Sequence, residues 1–81
     1  MEKEYRIKCT PPEGPQLTKV LHRLPSPISR PEMREIYNYC VEDDEIYFVD
    51  RGVDAEVSSK AFKLFIDAAL EKSASIEIRK V

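Results

Sequence analysis

Hydrophobic residues recur with two different periods in the first third of the chain. From Glu4 to Cys9, apolar and charged side chains alternate, which is typical of a strand with one buried and one solvated face. From Pro15 to Leu24 the apolar residues instead follow a helical spacing, and a proline can occupy the first turn of a helix because its missing N–H is not needed there. We therefore predict a strand followed by a short helix.

The middle of the chain is predicted to form three consecutive strands, at 35–41, 45–50 and 53–57. The first of these is ambiguous, because the apolar residues of 33–41 also fit a helical spacing. Its β-branched and aromatic residues favour the strand. The proline-rich segment 25–34 before it is predicted to be a flexible loop. The short turns EDDE and DRG separate the three strands, so we expect a meander.

A second, longer helix is predicted after the meander, with Ser58 or Ser59 as its N-cap. Its apolar face consists of Phe62, Phe65, Ile66, Ala69 and Leu70. A last strand follows, in which Ile76 and Ile78 alternate with charged residues. The predicted element order is therefore β-α-β-β-β-α-β.

This order predicts a single small α+β domain that spans residues 1–81, a length suited to one domain. We expect an antiparallel or mixed sheet of four or five strands with two helices packed against it. The layout is related to the split β-α-β arrangement called ferredoxin-like. The strand predicted at 53–57 departs from the simplest form of that arrangement.

The strand at 45–50 has apolar side chains on both of its faces, since four consecutive residues from Ile46 to Val49 are apolar. If Asp43-Asp44 is a two-residue loop, one face unites the following residues: Tyr37, Tyr39, Val41, Ile46 and Phe48. The register of the turn at 50–52 stays open, and either register leaves apolar side chains on the other face.

Two helices suffice to cover only one face of so small a sheet. We therefore hypothesise an apolar patch that meets another protein or a second copy of this chain. Its predicted residues are Ile36, Cys40, Tyr47 and Val49. The alternative, a partly exposed Tyr-Val pair of the kind that is normal on small proteins, stays open.

Composition and charge narrow the class of protein. With 42% apolar and 35% charged residues the chain is typical of globular proteins, and a net charge of −2 argues against a general binder of nucleic acid or anionic membranes. No apolar run reaches the roughly 20 residues of a membrane-spanning helix, and the first residues do not resemble a signal peptide. Two cysteines without CxxC spacing suit a reducing compartment. We expect a cytoplasmic protein.

Candidate catalytic and metal-binding residues are few. His22 is the only histidine, and it points away from the apolar stripe of its predicted helix. Cys9 shares the apolar face of the first strand, where a small core role is expected. The acidic run 42–45 lacks the spacing of a calcium loop and is predicted to be a solvated turn. We therefore expect no enzyme activity, no cofactor and no metal.

The function predicted from these observations is that of a non-catalytic protein-binding module, namely a regulatory, accessory or inhibitor/immunity-type protein. The alternative is a binder of single-stranded nucleic acid that uses a basic sheet face formed by Arg6, Lys8 and Arg79. Nucleic acid is the less favoured partner, because strand alternation places acidic residues such as Glu4 and Glu77 on the same sheet face as the basic residues. A third hypothesis, a subunit of an enzyme, has no particular residue to support it.

Overall fold

The computed structural model describes residues 2–81 and contains two helices and two antiparallel sheets. In chain order the elements are β1 (Lys3–Lys8), α1 (Pro15–Arg23), β2 (Ile28–Ser29), β3 (Arg34–Glu35), β4 (Tyr37–Val41), β5 (Glu45–Asp50), α2 (Ala55–Lys72) and β6 (Glu77–Lys80). The main sheet has the strand order β4-β5-β1-β6, and β2 pairs with β3 in a separate hairpin.

The predicted α+β class is confirmed, and every strand pair is antiparallel. Apart from the β2-β3 hairpin, the order is β-α-β-β-α-β. Strand β5 lies between β1 and β4, the two strands that α1 connects. This is the split arrangement of ferredoxin-like folds in its simple four-stranded form.

The strand predicted at 53–57 does not form, because α2 begins at Ala55. The carboxylate of Asp54 accepts hydrogen bonds from the backbone N–H groups of Glu56 and Val57, at 3.1 and 3.2 Å, and so caps the helix. The N-cap predicted at Ser58 or Ser59 is therefore wrong by about one turn. Since the element directly after β5 is a helix, the hairpin register left open at 50–52 has no counterpart in the structure.

Val53 and Val57 explain why the alternation was misleading. The two residues are four apart, which satisfies both the two-residue period of a strand and one turn of a helix. In the structure Val57 lies one turn before the buried Ala61, which in turn lies one turn before the buried Phe65. Both valines pack against the core, Val57 within α2 and Val53 just before its N-cap.

Ser58 is buried at the first turn of α2, with 1% of its surface exposed. Its hydroxyl lies 2.9 Å from the carboxylate of Asp50 and 3.3 Å from the carbonyl oxygen of Ile36. The serine therefore links the start of α2 to the end of β5 and to the residue before β4.

The segment 25–34, predicted to be a flexible loop, contains β2 and the first residue of β3. Met33 adopts a positive φ of 56° within the connection between these strands. The hydroxyl of Tyr37 donates a hydrogen bond to the carbonyl of Pro25 and ties the segment to β4. The ambiguity over 33–41 is resolved in favour of strands.

The core lies between the sheet and the two helices. The predicted pairing across the Asp43-Asp44 loop is confirmed, with Val41 opposite Ile46 and Tyr39 opposite Phe48. Phe65 of α2 is fully buried, and its ring centroid lies 4.9 Å from that of Tyr39. Both helices contribute side chains to this one side of the sheet, which we call the helix side.

Candidate functional site: the open face of the sheet

The second side of the sheet carries no helix, and we call it the open face. Alternation along the strands and the observed registers place ten side chains on it. They are Glu4, Arg6 and Lys8 of β1, Asn38 and Cys40 of β4, Glu45, Tyr47 and Val49 of β5, and Glu77 and Arg79 of β6. The open face therefore mixes charges of both signs with three less polar residues.

One row of directly opposed residues crosses the middle of the open face. Cys40 lies opposite Tyr47, Tyr47 opposite Arg6, and Arg6 opposite Arg79. Cys40 and Arg79 at the two ends are exposed, whereas Tyr47 in the second position is half-buried. This central row brings together one thiol, one phenol and two guanidinium groups.

Arg6 is the most heavily engaged residue of the central row. Its guanidinium contacts the carboxylate of Glu45 and lies 3.4 Å from that of Glu42. Its Cζ atom lies 5.1 Å from the centroid of the Tyr47 ring, which is the geometry of a cation–π contact. The hydroxyl of Tyr47 in turn donates a hydrogen bond to the carboxylate of Glu4.

These contacts shift the pKa values of the groups involved. The hydrogen bond from Arg6 lowers the pKa of the Glu45 carboxyl, and the same contact raises the pKa of Arg6. The pKa of Glu42 is raised, chiefly because its carboxyl shares a hydrogen bond with Glu45. The hydrogen bond to Glu4 raises the pKa of Tyr47. The cluster therefore holds Arg6 and Glu45 charged and makes Glu42 the carboxyl that takes up a proton more readily.

The hypothesised apolar patch is only partly assembled. Cys40, Tyr47 and Val49 share the open face, but Ile36 is 4% exposed and belongs to the core cluster. Val49 is also only 4% exposed, and Glu4 and Asn38 are its directly opposed neighbours on the two flanking strands. Of the four predicted residues, only Cys40 is exposed.

The predicted placement of Ile36 on the open face is wrong, because the prediction treats 35–41 as one unbroken strand. Ile36 instead sits between β3 and β4, where its N–H donates to the carbonyl of Pro27 and its carbonyl accepts from the N–H of Arg51. The bond to Arg51 continues the β4-β5 register, but the N–H bonds to Pro27 and not back to Arg51, and Ile36 lies outside the paired residues 37–41, so the two-residue alternation does not apply to it.

The three basic residues of the nucleic-acid hypothesis lie side by side on the open face, each close to a glutamate. Arg6 is paired with Glu45 as described, and Lys8 has Glu45 and Glu77 as its directly opposed neighbours. The Nε atom of Arg79 lies 3.6 Å from the carboxylate of Glu77. The positive charge of this face is thus largely balanced by negative charge.

Sequence reasoning missed the acidic partners of these residues. Glu42 and Glu45, the partners of Arg6, were each visible in the sequence, but their roles depend on β1 pairing with β5, and Arg6 and Glu45 are 39 positions apart. Arg51 was missed for the same reason. It binds the carboxylate of Glu35 at 2.7 Å and that of Glu2 at 2.5 Å, at the end of the sheet.

The two cysteines are the candidate nucleophiles that the sequence offers. Cys9 is half-buried, and its loss of solvent raises the pKa of its thiol, which disfavours the reactive thiolate. Both cysteines are free thiols. Within residues 2–81, no group of three or more His, Cys, Asp or Glu side chains is arranged to hold a metal ion.

The described surface carries depressions of different size. The cleft between α1 and α2 has a volume of about 70 Å³ and is lined by charged side chains such as Lys19 and Asp67, and a more open depression of about 450 Å³ is lined by charged residues such as Arg34 and Arg51. Typical small-molecule sites enclose roughly 300–1,000 Å³ and are largely apolar. Among the described residues, neither helix has the length and hydrophobicity that crossing a membrane would require.

Comparison with known proteins found no matching family model, no matching curated protein and no matching solved structure.

Proposed function

We propose that this protein is a non-catalytic cytoplasmic module that binds another protein through the open face. The observation that carries this proposal is the unequal covering of the sheet. Both helices pack on one side, and the other side is covered by its own side chains alone. The module would then act as a regulatory, accessory or inhibitory subunit of its partner.

The shape of the open face favours a macromolecule as its ligand. A nearly flat sheet surface offers contact area without enclosing a small molecule, and interfaces between proteins are typically of this kind. Tyrosine and arginine, together with tryptophan, are enriched at the energetic centres of such interfaces. The central row places Tyr47 beside Arg6 in the middle of the sheet, between the exposed Cys40 and Arg79.

The contacts of Arg6 also lower the entropic cost of binding. Its guanidinium is held by Glu45 and lies over the ring of Tyr47, so this long side chain is ordered before a partner arrives. Ordering a flexible side chain on binding costs about 0.5–1.5 kcal/mol, and a side chain ordered in advance avoids that cost. Lys8 and Arg79 are exposed, so acidic groups of the partner can replace their glutamate neighbours.

The proposal is tested by placing the same bulky charge on each side of the sheet. Cys40→Arg changes an exposed residue of the open face, and Ser59→Arg changes an exposed residue of α2 on the helix side. Neither side chain is buried, so both variants should fold with stability within about 0.5 kcal/mol of the wild type. Proteins captured from the native host are purified and titrated against both variants by calorimetry.

We expect Cys40→Arg to weaken binding at least about tenfold, because an unpaired charge is forced into the interface, and Ser59→Arg to leave it unchanged. As a second readout, bound partner should slow alkylation of the Cys40 thiol. Equal affinities for the two variants, with unprotected Cys40, would contradict the proposal.

Single-stranded nucleic acid is the second candidate ligand, favoured by one observation: Arg6 and Arg79 are directly opposed, with Lys8 two residues along β1. Against it, the guanidinium of Arg6 lies over the Tyr47 ring, which a base would need for stacking. The double variant Lys8→Glu/Arg79→Glu would abolish binding to a labelled single-stranded oligonucleotide. If wild-type affinity is strong and falls steeply with added salt, this candidate replaces the first.

A further inference from the structure

The outer strand β6 presents an edge that the described chain leaves unpaired. It pairs only with β1, and all four of its residues are exposed. Ile78 lies opposite the fully buried Ile7 and therefore faces the helix side, yet 46% of its surface remains exposed. An unpaired edge with an exposed apolar residue is a template for pairing with another strand.

The direction of the backbone groups of β6 follows from a single hydrogen bond. The N–H of Val81 donates to the carbonyl of Glu4, at 2.8 Å, so the backbone groups of Val81 point toward β1. Successive residues of a strand direct these groups to opposite sides. Glu77 and Arg79 therefore also bond toward β1, and Ile78 and Lys80 direct their N–H and C=O groups outward.

The opposite edge of the sheet, β4, differs in this respect. The N–H of Glu42 donates to the carbonyl of Glu45 across the loop, so by the same alternation Tyr39 directs its N–H outward. That N–H is taken up by the side-chain oxygen of Asn38, at 2.8 Å. In the middle of the β4 edge, the outward N–H of Tyr39 is therefore already bonded within the chain. The hydrogen bonds of the described residues include no such contact for the outward groups of β6.

We propose that a second copy of this chain pairs with β6 in antiparallel fashion, centred on Ile78, to form a continuous eight-stranded sheet. Directly opposed residues of an antiparallel pair share a face, so the twofold axis of such a dimer must pass beside one residue of the strand. Centring on Ile78 joins its outward N–H and C=O to those of the second copy and packs the two exposed isoleucines together.

The charges of β6 favour this register over the one centred on the next residue, Arg79. With Ile78 at the centre, Glu77 lies opposite Arg79 of the second copy, and this pair occurs twice. With Arg79 at the centre, two like charges would be opposed, which is unfavourable. The dimer places both open faces on the same side of the joined sheet and does not depend on what those faces bind.

The register is tested with two charge reversals and their mixture. Glu77→Arg alone and Arg79→Glu alone each create two like-charge pairs in the homodimer. Mixing the two variants restores two opposite-charge pairs in the heterodimer. We expect each variant alone to dimerise at least about tenfold more weakly than the wild type, and the equimolar mixture to regain wild-type affinity, as measured by sedimentation equilibrium.

A proline substitution tests the edge itself. Ile78→Pro removes the outward N–H while leaving the bonds between β6 and β1 intact, and proline is tolerated at such edge positions. We expect a monomer with an unchanged far-ultraviolet circular dichroism spectrum. A wild type that stays monomeric at millimolar concentration, a dimer that survives Ile78→Pro, or a mixture no tighter than its components would each overturn the proposal.

Discussion

Different kinds of side chain bury the central strand on the two sides of the sheet. On the helix side, Phe48 is 1% exposed, and the ring centroids of Phe62 and Phe65 lie 5.2 and 6.2 Å from its own. On the open face, Val49 is 4% exposed, with the polar residues Glu4 and Asn38 beside it. Similar burial is thus reached with an aromatic core on one side and polar side chains on the other.

This difference matters because the aromatic side chains of the helix side and the polar side chains of the open face differ in the free energy needed to displace them. Removing a packed aromatic ring leaves a cavity and costs several kcal/mol. Rearranging an exposed ion pair such as Arg79–Glu77 costs about 0–1 kcal/mol, because water compensates the separated charges, whereas Glu45, the partner of Arg6, is only 8% exposed. The open face is therefore the side that a partner can reshape, and the helix side is the one that maintains the fold.

The largest effect expected from this comparison is at Phe65. Phe65→Ala should lower the free energy of unfolding by about 3–5 kcal/mol, since it empties the space between α2 and the sheet. Urea unfolding followed by circular dichroism measures the change. Leu70→Ala on the same helix is the control, because Leu70 is 47% exposed and its truncation should cost about 0.5 kcal/mol or less.

Because a loss of that size approaches the total stability of a small domain, Phe65→Leu supplies a graded second variant. It should cost about 1.5 kcal/mol or less, provided that the smaller side chain still fills the site. If Phe65→Ala were no more destabilising than Leu70→Ala, the helix side would not be the rigid side of the sheet.

A smaller effect is expected at Val49 on the open face. Val49→Ala removes two buried carbon groups at about 0.8 kcal/mol each and adds a small cavity term, so we expect a loss of about 2 kcal/mol. Cys40→Ala, at an exposed position of the neighbouring strand, should change stability by no more than about 0.5 kcal/mol. A negligible loss at Val49 would mean that its polar neighbours do not exclude water, and that this residue is free to contact a partner.

Local pairing made the β4-β5 hairpin predictable. A two-residue loop fixes the register of its flanking strands, so the apolar face from Tyr37 to Phe48 followed from counting alone. The start of α2 was not predictable from periodicity, since Val53 and Val57 fit both a strand and a helix. Asp54 was the available signal, because an aspartate before a helical stripe is a strong N-cap candidate.

The open face could be predicted as a surface but not as a set of contacts. Alternation placed Arg6 and Lys8 on the solvated side of β1, and the structure confirms that placement. The ion pair of Arg6 with Glu45 depends on two strands 39 positions apart becoming neighbours, which no local pattern encodes.

The smallest effect concerns the cluster of Arg6, Glu42 and Glu45. The pKa of Glu45 is lowered by Arg6, so its charged form stabilises the fold at neutral pH, and this contribution is lost as the pH falls through the folded-state pKa. The pKa of Glu42 is raised by its hydrogen bond with Glu45, so its charged form adds no such support.

Glu45→Gln should therefore lower the urea midpoint at about pH 7, and the matched variant Glu42→Gln should not. Below the pKa of Glu45 the difference between Glu45→Gln and the wild type should vanish, because both then carry a neutral side chain at position 45. Identical midpoints for all three proteins at neutral pH would show that the charged cover of the open face contributes nothing to stability.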